Sequence, residues 1–212
     1  MRDLIMRICG SFLVNLRRKF NEKEGESLQY KEFEFGTGEK KIQIMLLDEI
    51  MEQGLAGMIS SPMFKENIAI VVEDNPSTID YDFACLGYTK KKTAPRVMMK
   101  RNFFEDLKCG TPESRMILFH EIGHYANQDF LTNDGNTDAE REALVVDGGI
   151  SEKEIKADAF AASYLGNETV IEGLEALKKR ILTDYADYDE ESVRITIKEI
   201  DIRISHIKGL ED

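Results

Sequence analysis

Residues 111–127 read TPESRMILFHEIGHYAN and carry the clearest helix signals in the chain. Thr111 is a favourable N-cap, Pro112 suits the first turn because its missing N–H has no partner there, and Glu113 faces the positive end of the helix dipole. The pattern predicts a helix from Thr111 to about Asn127. The apolar positions that we expect to face the core are Ile117, Leu118 and Ile122.

Two histidines lie one turn apart in this helix, in the motif His120-Glu121-Ile122-Gly123-His124. Residues four apart share a helix face, so both imidazoles can reach one point, as two ligands of a tetrahedral zinc ion must. Glu121 lies about 100° further round the helix, close enough to accept the proton of a water on that ion. Two of the chain's three histidines occupy the motif, which favours a metal site over the alternative of two core histidines.

Gly123 is unexpected at the centre of a helix. Glycine costs about 1 kcal/mol relative to alanine in a helix interior, so helix propensity does not explain it. We expect another backbone to pack closely against the helix at this position, where a side chain would be in the way.

A catalytic zinc site takes three protein ligands and leaves one position open, so a third ligand is needed. A second helix is predicted to open at Ser151 and to end at Gly166, and on it Glu154 and Asp158 share a face. We interpret Glu154 as the third ligand and Asp158 as the acceptor of the outer N–H of a ligand histidine. The alternatives are that Ser151 and Glu154 form a capping box without any metal, and that the remaining histidine, His206, is the ligand.

The residues of these two helices resemble the gluzincin type of zinc metallopeptidase, in which an HExxH helix is followed by a helix that supplies a glutamate ligand. The pattern Glu154-x-x-Ala157-Asp158 resembles the HtpX and CAAX-prenyl-protease group, and the run ADAFAA at 157–162 resembles the ImmA/IrrE group. The resemblance covers residues 111–166 and implies a zincin-like fold. The site residues that it implies are His120, His124 and Glu154 as zinc ligands and Glu121 as general base.

The resemblance implies a zinc metalloendopeptidase that hydrolyses a peptide bond of a protein or peptide substrate through a Zn²⁺-activated water. A zincin-like regulatory or binding module without proteolytic activity is the alternative. The strand before the motif helix, at 96–100, is expected to be the sheet edge to which a peptide substrate adds. Candidates for stabilising the oxyanion, among which the sequence does not choose, are Tyr125, Tyr164 and His206.

The first half of the chain predicts short strands and the second half predicts helices, which indicates an α+β fold with a small mixed sheet. The predicted strands are 30–35, 41–46, 68–73 and 96–100. The further predicted helices are 47–59, 167–182 and 190–208. The acidic segment 129–142 is predicted to cross the surface, and the absence of any linker pattern predicts a single metallopeptidase-like domain over 1–212.

Composition argues against several classes of function. The net charge of −12 opposes binding to nucleic acid. No uncharged run is long enough to span a bilayer, and residues 1–20 are predicted to form an amphipathic helix on the core. The three cysteines include no C-x-x-C pair, which favours a reducing cytoplasm. We therefore expect a soluble cytoplasmic protein, with an oligomeric state that the sequence does not reveal.

Overall fold

The computed structural model describes residues 29–51, 54–73, 84–88, 95–129, 138–184 and 190–211, so the helix predicted at 1–20 lies outside the described residues. Strands come before residue 100 and the α-helices after it, which confirms the α+β class. The described residues divide into two compact units: a sheet unit, up to residue 73 and again at 87–99, and a helical unit, at 84–86 and from residue 100 onward. The single metallopeptidase-like domain over 1–212 stays a prediction.

The described strands form one mixed sheet. They are β1 (Tyr30–Phe35), β2 (Ile42–Leu47), β3 (Leu55–Ser60), β4 (Ile68–Val72), β5 (Ala84–Tyr88) and β6 (Pro95–Met99). Their order is β1-β2-β3-β4-β6-β5, in which β1 to β4 pair antiparallel and β6 joins β4 in parallel. All the predicted strands are confirmed to within one residue at each end, whereas β3 and β5 were not predicted.

Alternate side chains of β2, β4 and β6 are buried, as expected of strands with one face toward a core. The buried side chains of these strands include Ile42, Ile44, Leu46, Ile68, Ile70, Val72, Val97 and Met99. The sheet core is therefore built from β-branched and other aliphatic side chains, which suit a pleated surface.

The helix predicted at 47–59 is wrong, because this segment turns and returns as β3. Gly54 has a φ of 75°, a left-handed conformation, and its N–H donates to the Met51 carbonyl at 3.1 Å. A Cβ on Gly57 would lie 2.2 Å from the Met45 carbonyl oxygen of β2, so glycine is required where the two strands meet. Pairing with β2 and β4 on either side overrides the apolar spacing that suggested a helix.

The expectation that 96–100 forms the sheet edge for a peptide substrate is also wrong. β6 lies between β4 and β5, so its backbone has a neighbouring strand on each side. The basic residues that suggested an exposed edge have other positions: Arg96 is partly buried, and Lys100 lies beyond the strand as the N-cap of the first helix.

The helical unit contains the described α-helices, each long enough to present a buried face. They are α1 (Arg101–Cys109), α2 (Pro112–Ala126), α3 (Asp138–Val146), α4 (Glu152–Leu165), α5 (Asn167–Asp184) and α6 (Glu190–Lys208). The four predicted helices that correspond to α2, α4, α5 and α6 are confirmed with ends within two residues. In the predicted surface segment 129–142, Glu140 and Glu142 are exposed on α3, which begins at Asp138, and 130–137 lies outside the described residues. Over the described ranges, no helix has the combination of length and apolar character that crossing a membrane requires.

Helix α2 begins and packs as its sequence predicts. The Thr111 side chain caps it by accepting from the Ser114 N–H at 3.3 Å, and Pro112 follows at the first helical position. Its buried residues include Ile117, Leu118 and Ile122, the positions predicted to face the core. The helix packs against α4 and α5, while α6 packs against α3, α4 and α5, so α4 and α5 both contact α2 and α6.

Candidate metal centre

His120 and His124 of α2 and Glu154 of α4 converge inside the helical unit. The two Nε2 atoms are 3.1 Å apart. Glu154 places Oε2 3.1 Å from His120 Nε2 and Oε1 3.7 Å from His124 Nε2. Neighbouring ligands of a tetrahedral zinc ion, each bonded at about 2.0–2.1 Å, lie about 3.4 Å from each other. Within the described residues, these three side chains are the group that could hold a metal ion.

Gly123 allows α4 to approach α2 at the level of this group. A Cβ on Gly123 would lie 2.9 Å from both the Cα and the carbonyl oxygen of Ala157, and 3.1 Å from Phe160 Cβ. The close approach of another backbone at Gly123 is therefore confirmed, and the backbone is that of α4. Because Glu154 lies one turn before Ala157, this contact sets how far the carboxylate is from the histidines.

The start of α4 directs Glu154 toward the histidines. The Ser151 hydroxyl accepts from the Lys153 N–H at 3.3 Å, which begins the helix. The carboxylate of Glu154 contacts both His120 and His124, so it is not used as the returning half of a capping box with Ser151. The hydroxyl that caps the helix and the carboxylate that faces the histidines therefore belong to different residues of the same turn.

Each histidine donates its outer N–H to a different carboxylate. His120 Nδ1 is 2.8 Å from Asp158 Oδ1, and His124 Nδ1 is 2.9 Å from Asp129 Oδ2. Ionised carboxylates only accept hydrogen bonds, so each Nδ1 carries the hydrogen and each Nε2 of a neutral imidazole presents a lone pair. Two lone pairs 3.1 Å apart repel each other unless a cation, either a proton or a metal ion, lies between them.

The charges around the histidines favour a positive charge at this point. Burial and the Arg203 guanidinium disfavour the imidazolium, but the hydrogen bonds to Asp158 and Glu154 outweigh them and raise the pKa of His120 to about 9. Burial disfavours the ionised Glu154 carboxyl, yet its hydrogen bond to His120 holds its pKa well below the usual range. A metal ion at this point replaces a proton, since a ligand imidazole must be neutral at the ligating nitrogen.

Arg203 of α6 belongs to the site and was not predicted from the sequence. Its Nε donates to Asp158 Oδ2 at 2.8 Å and its Nη2 donates to Asp158 Oδ1 at 2.6 Å. The Arg203 side chain is 11% exposed and that of Asp158 is 3% exposed, so the pair is largely removed from water. One feature of the sequence could have identified Arg203. It lies beside the apolar stripe of α6, and a charged side chain at that position needs a buried partner. The buried members of that stripe are Ile200, Ile204 and Ile207.

Asp129 is the second residue that sequence reasoning missed. Gln128 has a φ of 60°, which is left-handed and costs a residue with a Cβ about 1–2 kcal/mol, and it turns the chain directly after α2. Asp129 then reaches back to His124. Lys153 Nζ approaches the Asp129 carbonyl at 3.4 Å, which links this turn to α4. No sequence pattern separates Asp129 from the acidic residues that follow it.

The remaining candidate residues have different surroundings. Glu121 and Tyr125 are partly exposed on α2, and His206 is exposed on α6 and is not part of the ligand group. The Tyr164 ring packs with the rings of Phe119 and Phe160, at centroid distances of 5.5 and 4.9 Å, and burial raises the pKa of its phenol. Tyr164 is partly exposed, and its packing against these two rings explains its position without any role in chemistry.

Comparisons of the chain with known protein families, with curated proteins and with solved structures found no match. The resemblance to zinc metallopeptidases therefore depends on residues 111–166. The functional argument depends on the geometry of the histidines, the carboxylates and Arg203.

Proposed function

We infer that the chain is a zinc-dependent metallopeptidase with a zincin-like fold, and that His120, His124 and Glu154 hold Zn²⁺. The observation that carries this proposal is the pair of Nε2 atoms 3.1 Å apart, whose Nδ1 atoms are both committed as donors to carboxylates. Two imidazoles and one glutamate are the ligand set of a known class of catalytic zinc sites, which leaves one position open. Zinc, when bound, polarises the scissile carbonyl and lowers the pKa of a water to about 7.

Glu121 is the residue of the motif suited to move the proton. In each of His120 and His124, Nδ1 donates to a carboxylate and Nε2 would bind the cation, so neither imidazole can serve as a general base. Glu121 follows His120 directly and is partly exposed, which leaves it accessible from the solvent side. Its carboxylate accepts a proton from the attacking water and passes it to the nitrogen of the leaving amine.

Substitution of Glu121 with glutamine tests this role, because glutamine keeps the size of the side chain and cannot accept the proton. We expect Glu121→Gln to bind one equivalent of zinc, as the unmodified chain does, and to lose peptide cleavage. Zinc is measured by elemental analysis after reconstitution and buffer exchange, and cleavage with a library of quenched fluorescent peptides. Glu168→Gln, at an exposed position of α5, is the matched control and should leave both properties unchanged.

The outcomes separate the metal site from the reaction. Cleavage by Glu121→Gln at the unmodified rate would show that Glu121 is not the base. A chain that takes up no zinc would refute the metal site itself. A chain that binds zinc in His120 and His124 but cleaves no peptide of the library would favour the regulatory or binding module.

A further inference from the structure

Three buried or largely buried side chains connect helix α6 to the candidate metal centre. Arg203 donates to Asp158 through two nitrogens, and Asp158 accepts from the Nδ1–H of His120. Counted over the whole residue, His120 is 6% exposed and Asp158 is 2% exposed. The position of the His120 ring therefore depends on a residue of α6, which supplies no ligand.

The Arg203 contact fixes the plane of the Asp158 carboxylate. Oδ2 takes the Nε–H, while Oδ1 takes both the Nη2–H and the Nδ1–H of His120. The two donors that meet at Oδ1 are 3.1 Å from each other, as donors sharing one acceptor can be. A guanidinium that binds a carboxylate at two points holds its orientation as well as its charge, which a lysine ammonium cannot do.

Without Arg203, Asp158 would be a buried carboxylate close to a cation. Asp158 lies one turn after Glu154 on the same face of α4, and Glu154 already contacts both histidines. A buried charge that loses its partner is strongly disfavoured and takes another if one is within reach. A cation held by the ligand group would lie on the far side of the His120 ring from Asp158, so the carboxylate of Asp158 would be attracted to it as an additional ligand.

We propose that Arg203 is a positioning residue of the metal centre, which keeps Asp158 as the hydrogen-bond partner of His120 and prevents it from becoming a ligand. The proposal rests on the proposed function only in that the site binds a metal ion; it does not depend on the reaction. Within the described residues, Arg203 contacts neither of the two Nε2 atoms nor the Glu154 carboxylate, so its effect on the geometry of the site passes through Asp158, although its charge also acts on His120 and Glu154.

The test compares two Arg203 variants with a control on the same helix. Arg203→Met removes both the positive charge and the two-point contact with Asp158, whereas Arg203→Lys keeps the charge without the two-point contact. Arg194→Met is the control, because Arg194 is exposed and pairs with Glu191 on α6 itself. Zinc affinity is measured by competition with a chromophoric chelator, and coordination is measured by the visible absorption spectrum of the Co²⁺-loaded protein.

We expect Arg203→Met to lower zinc affinity by about 10-fold, because His120 loses the oriented partner that typically contributes 10-fold to 100-fold, while the carboxylate that Asp158 brings to the ion and the loss of the Arg203 charge offset part of that loss. Arg203→Lys should lose less, and Arg194→Met should match the unmodified chain. The Co²⁺ spectrum of Arg203→Met should change, because a released Asp158 alters the coordination, whereas a purely structural role would leave the spectrum of the loaded protein unchanged. In an Asp158→Asn background, Arg203→Met should cost little further affinity, since its effect passes through Asp158.

Unchanged affinity and spectrum in a folded Arg203→Met would overturn the proposal, and so would an undiminished loss in the Asp158→Asn background. If circular dichroism shows that Arg203→Met does not fold, Arg203→Lys decides, and wild-type affinity in that variant overturns the proposal. A failure of the proposed function is visible separately, because it appears as absent zinc binding in the unmodified chain, before any Arg203 variant is compared.

Discussion

Gly123→Ala tests whether the close contact between α2 and α4 sets the geometry of the metal centre. The substitution adds one methyl group on α2, at 2.9 Å from the Cα and carbonyl oxygen of Ala157. Both of these atoms belong to backbone, so no side-chain rotation can remove the collision. The two helices must separate, and Glu154 must move away from His120 and His124 with its helix.

The size of the effect follows from these distances. Carbon atoms at favourable contact lie roughly 3.5 Å or more apart, so the helices must separate by about 0.6 Å at Ala157. Such overpacking typically costs about 1–3 kcal/mol, and the better helix propensity of alanine offsets about 1 kcal/mol of it. We expect a net loss of up to about 2 kcal/mol in the free energy of unfolding of the metal-free protein. We also expect a loss of at least about 10-fold in zinc affinity, comparable to the removal of a ligand's supporting partner.

The assay is urea unfolding of the metal-free protein together with zinc competition against a chelator. Gly209→Ala is the control, because a Cβ at Gly209 meets nothing within 4 Å. It makes the same chemical change and should leave zinc affinity as it is. If Gly123→Ala were to bind zinc as tightly as the unmodified chain and unfold at the same urea concentration, the contact would not determine the ligand geometry.

Two further predictions concern the ends of α2. Gln128→Gly should raise the free energy of unfolding, measured in urea, by up to about 1 kcal/mol, because glycine adopts the φ of 60° without strain from a Cβ. A decrease in the free energy of unfolding would show that Gln128 is not strained. Burial raises the pKa of Glu113 against the opposing pull of Arg180, so its ionisation costs the folded state more than the unfolded one, and its contribution to stability falls as the pH rises from about 4 to 7. Glu113→Gln cannot ionise and should therefore gain melting temperature relative to the unmodified chain as the pH rises over that range; a constant difference across the pH series would refute this.

The ligand group could be predicted from the sequence because its geometry is set within single helices. A spacing of four residues places His120 and His124 on one helix face whatever surrounds them. Glu154 was identified because it shares a face of the second helix with Asp158, and the structure brings it to the histidines. The predictions of the two histidines and of Glu154 each depended on a helical pattern of fewer than twenty residues. Gly123 added the approach of a second backbone, which α4 provides.

The features that were wrong or missed depend on contacts between distant residues. Segment 47–59 is a turn and a strand because β2 and β4 flank it, and such pairing leaves little local signal beyond Gly54 and Gly57. Arg203 reaches Asp158 across 45 positions of sequence. Its partner could not be identified from spacing, although its place beside an apolar stripe marks a charge that requires one.

The dependence of His120 on α6 has a consequence for how the protein is made. Translation delivers the chain from its N-terminal end, so the HExxH helix leaves the ribosome before Glu154, and Arg203 comes last of all. A nascent chain that ends between His124 and Glu154 has the two histidines without the third member of the ligand group, and one that ends before Arg203 lacks the residue that orients Asp158. The complete arrangement of ligand group and oriented carboxylate therefore exists only once synthesis has passed Arg203, so a metal ion that needs all of it would bind the folded protein rather than the growing chain.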